Sequence, residues 1–137
     1  MTDWPLVGVG GARGVVGGGF LDLFRSAGLP ADRLRCFGQE PGSVAYDAVD
    51  LPVEVVSADA LAGLDVLFLA TDAAVSRELI PGAAADVPLI IDNSSAFRLD
   101  RATPLVVPEA NASDVTARAV YADLARLAAG ERPVLFR

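Results

Sequence analysis

Three side chains suited to acid–base or anion chemistry follow apolar runs. Asp72 comes after Val66–Ala70. Arg98 comes after Leu89–Ile91 and the polar segment Asp92–Ser95, and Glu109 comes after Leu105–Val107. Such short apolar runs read as buried strands, and open α/β sheets bind ligands beyond the carboxyl ends of their strands. A carboxylate placed there can take or give a proton, and a guanidinium suits bidentate binding of phosphate or carboxylate. Asp72, Glu109 and Arg98 are therefore the candidate catalytic set, with Tyr121 as a further hydroxyl and Asn93, Ser94, Ser95 and Asn111 as neutral hydrogen-bonding groups. Structural roles compete with each of these readings. Asp72 can cap a helix beginning at Ala73, Asp92 and Asn93 can hold their loop by Asx-type bonds, and Arg98 can pair with Asp100 or Glu109.

A second chemistry lies at the start of the chain. Gly8, Gly11, Gly14 and Gly17 recur every third residue at the junction between the apolar run Leu6–Gly10 and the segment that follows it. A strand that turns sharply into a helix, with backbone close to a phosphate, needs such glycines. The helix N-terminus then supplies amide donors and partial positive charge. Glycines that merely allow close packing are the alternative. Gly17-Gly18-Gly19 costs roughly 1 kcal/mol per glycine relative to alanine within a helix, which implies a close approach by another segment or a loosened first turn.

Several chemistries are excluded. The chain has no histidine, and all 11 of its basic residues are arginines. Schiff-base and P-loop lysines are therefore absent. With Cys36 as the lone cysteine, no internal disulfide and no zinc or haem site is expected. A formal net charge of −7 without a basic run argues against nucleic acid and anionic membranes as partners. The apolar runs fall short of the roughly 18 residues a membrane span requires, and the N-terminus does not read as a signal peptide. A cytoplasmic protein is expected.

The elements that must position these groups read as alternating strands and helices. Strands are expected at Leu6–Gly10, Leu34–Phe37, Val53–Val56, Val66–Ala70, Leu89–Ile91 and Leu105–Val107, with a terminal strand at Val134–Phe136. Helices are expected over Val15–Ala27, over Ala73–Ala85 with a kink or break at Pro81, and over Ser113–Ala129. Gln39–Val44 reads as a turn, and Ser57 or Asp59 as the cap of a brief helical turn. At 137 residues and 53% hydrophobic, the chain forms one domain with a real core. The fold class is α/β: a doubly wound, mostly parallel, Rossmann-like sheet with right-handed crossovers and a C-terminal helix.

The segments Gly8–Gly17, Leu89–Arg98 and Pro104–Asn111 together resemble the cofactor-binding half of aspartate-β-semialdehyde dehydrogenases. The resemblance covers Pro5 to Asn111, and residues 112–137 depart from it. It implies a dinucleotide held by Gly11, Arg13, Gly14, Val16, Glu40, Thr71, Asn93 and Ser94. It also implies a nucleophilic cysteine downstream of Pro108-Glu109-Ala110-Asn111, and a catalytic histidine. The stretch Tyr121–Gly130 has no cysteine, and the chain has no histidine. No semialdehyde dehydrogenase activity is therefore expected from this chain alone.

Two departures bear on the cofactor. Relatives carry a small hydroxyl residue where this chain has Arg13, which would either reach the pyrophosphate or fill the pocket. Relatives also carry an arginine-containing turn for the 2′-phosphate of NADP, where this chain has Gly38–Ser43 with Glu40. A carboxylate there bonds a 2′-hydroxyl and repels a 2′-phosphate, so NAD is expected over NADP. The alternative is that Glu40 is an ordinary solvated turn residue. Three functions are in view: a nucleotide- or anion-binding domain, a repurposed acid–base enzyme, and a partner or scaffold subunit. The missing catalytic domain should leave apolar surface, so a homodimer or a complex with another subunit is expected, through Ser113–Ala129 (stripe Val120, Leu124, Leu127) or Val134–Phe136.

Overall fold

The computed structural model describes residues 4–101 and 103. Glu109, Asn111, Tyr121, the expected strand Leu105–Val107, the helix Ser113–Ala129 and the strand Val134–Phe136 lie outside the described residues. The described chain runs β1 (Val7–Gly10), α1 (Val15–Ala27), a 3-10 turn (Ala31–Arg33), β2 (Leu34–Gly38), β3 (Gly42–Tyr46), β4 (Val49–Val55), β5 (Val66–Leu69), α2 (Ala73–Ala83) and β6 (Leu89–Asp92).

The six strands form one sheet in the order β3-β4-β2-β1-β5-β6. Every pairing is parallel except β3–β4. This is the mostly parallel, Rossmann-like α/β fold expected from the alternation of elements. β1 and β5 are buried at every residue, as strands covered on both faces must be. One core layer gathers Val7, Val9, Phe24, Cys36, Tyr46 and Phe68, and the other gathers Phe37, Leu61, Leu67 and Leu69. Alternate residues of β1 and β5 thus serve opposite faces. Phe24 meets Phe68 edge to face at 4.9 Å, fixing α1 against the sheet.

Helix α1 ends with Gly28 in the left-handed conformation, its N–H returning to Phe24 and Arg25 carbonyls. Asp65 ties the start of β5 to β1 by accepting the Leu6 N–H at 2.7 Å.

The structure corrects several local expectations. Gln39–Val44 is not simply a turn, because Gly42–Tyr46 pairs antiparallel with a strand that begins at Val49 rather than Val53. Only Tyr46 and Val53 of this hairpin are buried, so it carries little apolar signal. Tyr46 anchors it by donating its hydroxyl to the Leu29 carbonyl at 2.7 Å. Helix α2 continues through Pro81 and ends at Ala83, before the expected Ala85. Pro81 forgoes the N–H that would reach the Arg77 carbonyl, yet the helix runs on, and the Ala84 N–H returns to the Ile80 carbonyl. Around Ser57 the chain makes the expected brief turn through Leu61, with the Ser57 hydroxyl accepting from the Ala60 N–H at 3.1 Å and the Ser57 carbonyl from the Leu61 N–H at 3.2 Å. No helix among the described residues is long and apolar enough to cross a membrane.

Candidate functional site

β1, β2, β5 and β6 end side by side, so their following loops converge at one edge of the sheet. The floor is the glycine turn. Gly11 adopts φ +76, and a Cβ there would overlap the Ala70 carbonyl. Its N–H and that of Ala12 both donate to the Phe37 carbonyl, at 2.9 and 3.2 Å. The turn is thus held against β5 on one side and β2 on the other. A Cβ on Gly17 would overlap the Gly11 carbonyl, whereas Gly18 and Gly19 face open space. The close approach expected from the three glycines therefore concerns Gly17 alone.

The N-terminus of α1 is open. Its N-cap is Gly14, which has no side chain to cap with, and no acidic residue stands in its first turn. Val15 is 95% exposed and Val16 is 45% exposed. First-turn amides have no partner inside their helix, so here they face outward with the positive end of the helix dipole. A phosphate suits that place, and the residues present fit the pyrophosphate of a dinucleotide. Gly11, Gly14 and Val16 stand at this end.

Arg13 does not turn towards these amides. Its Nη2 donates to the Glu40 carbonyl at 3.1 Å, and a Cβ on Gly42 would overlap its guanidinium. Arg13 therefore lies over the turn after β2 and leaves the first turn of α1 unfilled. Glu40 itself is exposed.

The far side is organised by a hydroxyl–carboxylate network. Ser76, 0% exposed, donates to Asp92 Oδ1 at 3.0 Å. Having spent its one hydrogen there, it accepts from the Thr71 hydroxyl at 3.0 Å. Asp92 also accepts from the Ser94 N–H at 3.0 Å and from the Ser94 hydroxyl at 2.7 Å. The Ser94 hydroxyl in turn accepts from the Ala96 N–H at 3.1 Å. Thr71 and Ser94 are therefore joined through Ser76 and Asp92, and the Asn93 N–H continues the β5 ladder to the Leu69 carbonyl at 2.9 Å. Sequence reasoning missed Ser76. The available signal was its helical spacing with the buried Leu79 and Ala83.

Asp72 and Arg98, the described members of the expected acid–base set, serve local structure. Asp72 caps α2, accepting from the Val75 N–H at 2.9 Å. Arg98 folds back onto its own loop, donating to the Ser94 carbonyl at 3.3 Å and the Asn93 carbonyl at 3.4 Å. Cys36 is buried in β2, and desolvation pushes its thiol up to about 11. A nucleophilic thiol needs the opposite shift. Among the described residues no cluster of three metal-ligating side chains occurs.

Comparison with known proteins agrees with this geometry. Residues 6–118 match the family described as semialdehyde dehydrogenase, NAD binding domain. The chain is 33% identical over 112 residues to aspartate-semialdehyde dehydrogenase of Bacillus subtilis, covering 80% of this chain and 32% of that protein. The Aquifex aeolicus enzyme is likewise 33% identical over 113 residues, with 80% and 33% covered. Among solved structures, aspartate semialdehyde dehydrogenase II from Vibrio cholerae, complexed with ASA, superposes with a TM-score of 0.70 at 28% identity. The match covers 82% of this chain and 34% of that one. The chain thus spans about a third of the length of these relatives. It belongs to the semialdehyde dehydrogenase family and corresponds to that family's NAD-binding domain.

Proposed function

We propose that this chain binds a nicotinamide dinucleotide across the carboxyl ends of β1, β2, β5 and β6, with its pyrophosphate on the first turn of α1. The observation that carries this reading is the open N-terminus at Gly14, uncapped and without acidic residues, above a turn held by Gly11. Thr71, Asn93 and Ser94 border the nicotinamide half, on loops pinned by Ser76 and Asp92. When bound, the dinucleotide supplies a hydride-accepting ring. This chain's residues hold and orient it.

The exposed carboxylate of Glu40, in the turn after β2, favours NAD over NADP. By itself the chain carries no acyl-transfer step in this reading, because thiohemiacetal chemistry needs an activated thiolate and a base. Cys36 is buried and protonated, and there is no histidine.

Calorimetric titration with NAD, NADP and ADP-ribose tests the binding. Saturable binding with a rise in melting temperature is expected, and its absence at millimolar ligand overturns the reading. A coupled assay tests the chemistry: phosphate-dependent reduction of NAD or NADP by aspartate semialdehyde is expected to match a buffer control. The repurposed acid–base enzyme has less support, since Asp72 is engaged as a cap and Arg98 by its own loop. Association with a second copy or another subunit belongs to the proposal, supported by exposed apolar side chains such as Leu99, Val55 and Leu23. Light scattering at tens of micromolar checks it.

A further inference from the structure

We propose that Ser76 and Asp92 make the Thr71 hydroxyl an obligate hydrogen-bond acceptor in the cleft, so that this end selects a neutral ligand group carrying an N–H, such as a carboxamide, over a group of the same shape without one. The inference rests on the dinucleotide reading above and deepens it at the nicotinamide half. Thr71 stands just beyond β5, whose neighbours in the sheet are β1 and β6. It is half-buried. Its backbone nitrogen lies 3.5 Å from where a Cβ on Gly11 would stand, and its methyl 3.7 Å from where one on Gly10 would stand. Thr71 therefore lines the cleft beside the glycine turn.

The direction of the hydroxyl chain follows from its far end. A carboxylate only accepts hydrogen bonds. Asp92 accepts from the Ser76 hydroxyl at 3.0 Å, from the Ser94 N–H at 3.0 Å and from the Ser94 hydroxyl at 2.7 Å. The single hydrogen of Ser76 thus goes to Asp92. Towards Thr71, 3.0 Å away, Ser76 must accept, so Thr71 must donate. That commits the only hydrogen of the Thr71 hydroxyl and leaves lone pairs for the cleft. Turning the hydrogen to a ligand would strip Ser76 of its donor. Ser76 is 0% exposed, so solvent does not replace it, and a buried oxygen without a donor is costly. The same carboxylate commits the Ser94 hydroxyl, whose oxygen already accepts from the Ala96 N–H at 3.1 Å. Neither hydroxyl therefore offers a hydrogen to a ligand. Arg98 is turned to the Ser94 and Asn93 carbonyls, and Asp92 joins no ion pair among the described residues. The two ends of the cleft are opposite in character. The first turn of α1 presents donors and partial positive charge, whereas Thr71 presents lone pairs backed by a carboxylate.

Calorimetry of the full chain with NAD, its acetylpyridine analogue and ADP-ribose tests the assignment. The analogue keeps the charge and the carbonyl of NAD and carries a methyl in place of the amide nitrogen. NAD is expected to bind about fivefold more tightly than the analogue, the worth of one hydrogen bond. Thr71→Val keeps the shape and removes the acceptor. NAD should then weaken to the level of the analogue, while ADP-ribose stays within about twofold of its wild-type affinity. Ser76→Ala frees the Thr71 hydrogen, which can then turn to the carbonyl of the analogue. The analogue should bind more tightly than it does to the wild type, and the preference for NAD should shrink below about twofold. A merely loosened loop would weaken every ligand and strengthen none. Thermal melts confirm that each variant is folded. If the wild type binds NAD and the analogue equally, or if Ser76→Ala weakens both alike, the roles of Thr71 and Ser76 fall, while binding of ADP-ribose keeps the dinucleotide reading. If none of the three ligands binds, both fall.

Discussion

Two helices begin at the same edge of the sheet and end their N-termini in opposite ways. α1 starts at Gly14 with bare amides, while α2 starts at Asp72, whose own carboxylate accepts from the Val75 N–H at 2.9 Å. The backbone needs are the same at both, since each first turn has amides without intrahelical partners. At α2 the sequence supplies the anion from within the chain. At α1 it withholds any such anion and clears space with glycine. On the proposed reading, the terminus left unsatisfied beside one that is closed is where the pyrophosphate sits. The carboxyl end of a central strand is therefore too coarse a criterion for a site, because Asp72 meets it and serves its own helix.

The largest expected effect comes from making the first terminus resemble the second. Gly14→Asp places a carboxylate where the pyrophosphate would lie. Gly14 has φ −78, which any residue adopts. Dinucleotide affinity should fall by more than about a hundredfold, the cost of like charges brought together. Calorimetry beside a thermal melt reads this directly, and unchanged affinity would break the comparison.

Next come the glycines that follow Gly14. Gly17→Ala drives a methyl into the Gly11 carbonyl and should destabilise the protein by roughly 1–3 kcal/mol. Gly18→Ala and Gly19→Ala meet nothing and should each stabilise by roughly 0.5–1 kcal/mol. Urea midpoints at constant m-value separate the two signs. Asp72→Ala uncaps α2 at a cost of about 1 kcal/mol and should leave dinucleotide affinity unchanged.

An effect confined to alkaline pH lies away from both termini. Burial raises the Cys36 thiol from 9.0 to about 11 and also raises the Tyr46 phenol from 10.0. The folded state therefore holds protons that the unfolded chain releases, so the contribution is complete below about pH 9 and is lost as pH rises towards 11. Urea stability should decline over that window, and Cys36→Val should flatten part of the decline.

The buried elements were legible because their apolar runs have nowhere to go but the core. β1, β5 and β6 stand close to where the runs place them, and α1 occupies Val15–Ala27 as its spacing requires. The β3–β4 hairpin was hidden by its composition. Pro41, Gly42 and Ser43 read as a turn, and Pro52 argues against a strand although it pairs with Ser43. Its two-residue loop is Asp47-Ala48 with Asp47 at φ 52, a weaker signal than asparagine–glycine or aspartate–glycine. The site was legible in outline at Gly11 and Gly14. The reach of Arg13 was not, because a long side chain crossing between loops leaves no period in the sequence.

The abutment of Gly11 on Ala70 also sets an order of assembly. A chain emerging from the ribosome presents the glycine turn early, yet the carbonyl that closes its floor arrives only with residues 66–70, after β2 and the hairpin. Pairing of β1 with β5 spans that whole interval, and such long-range closure is slow to form. A nascent fragment ending before Val66 would carry the glycine signature without a pocket. On the dinucleotide reading, competence to take up a nucleotide waits for residues 66–70, and ligand present during synthesis should favour completed domains over partial ones.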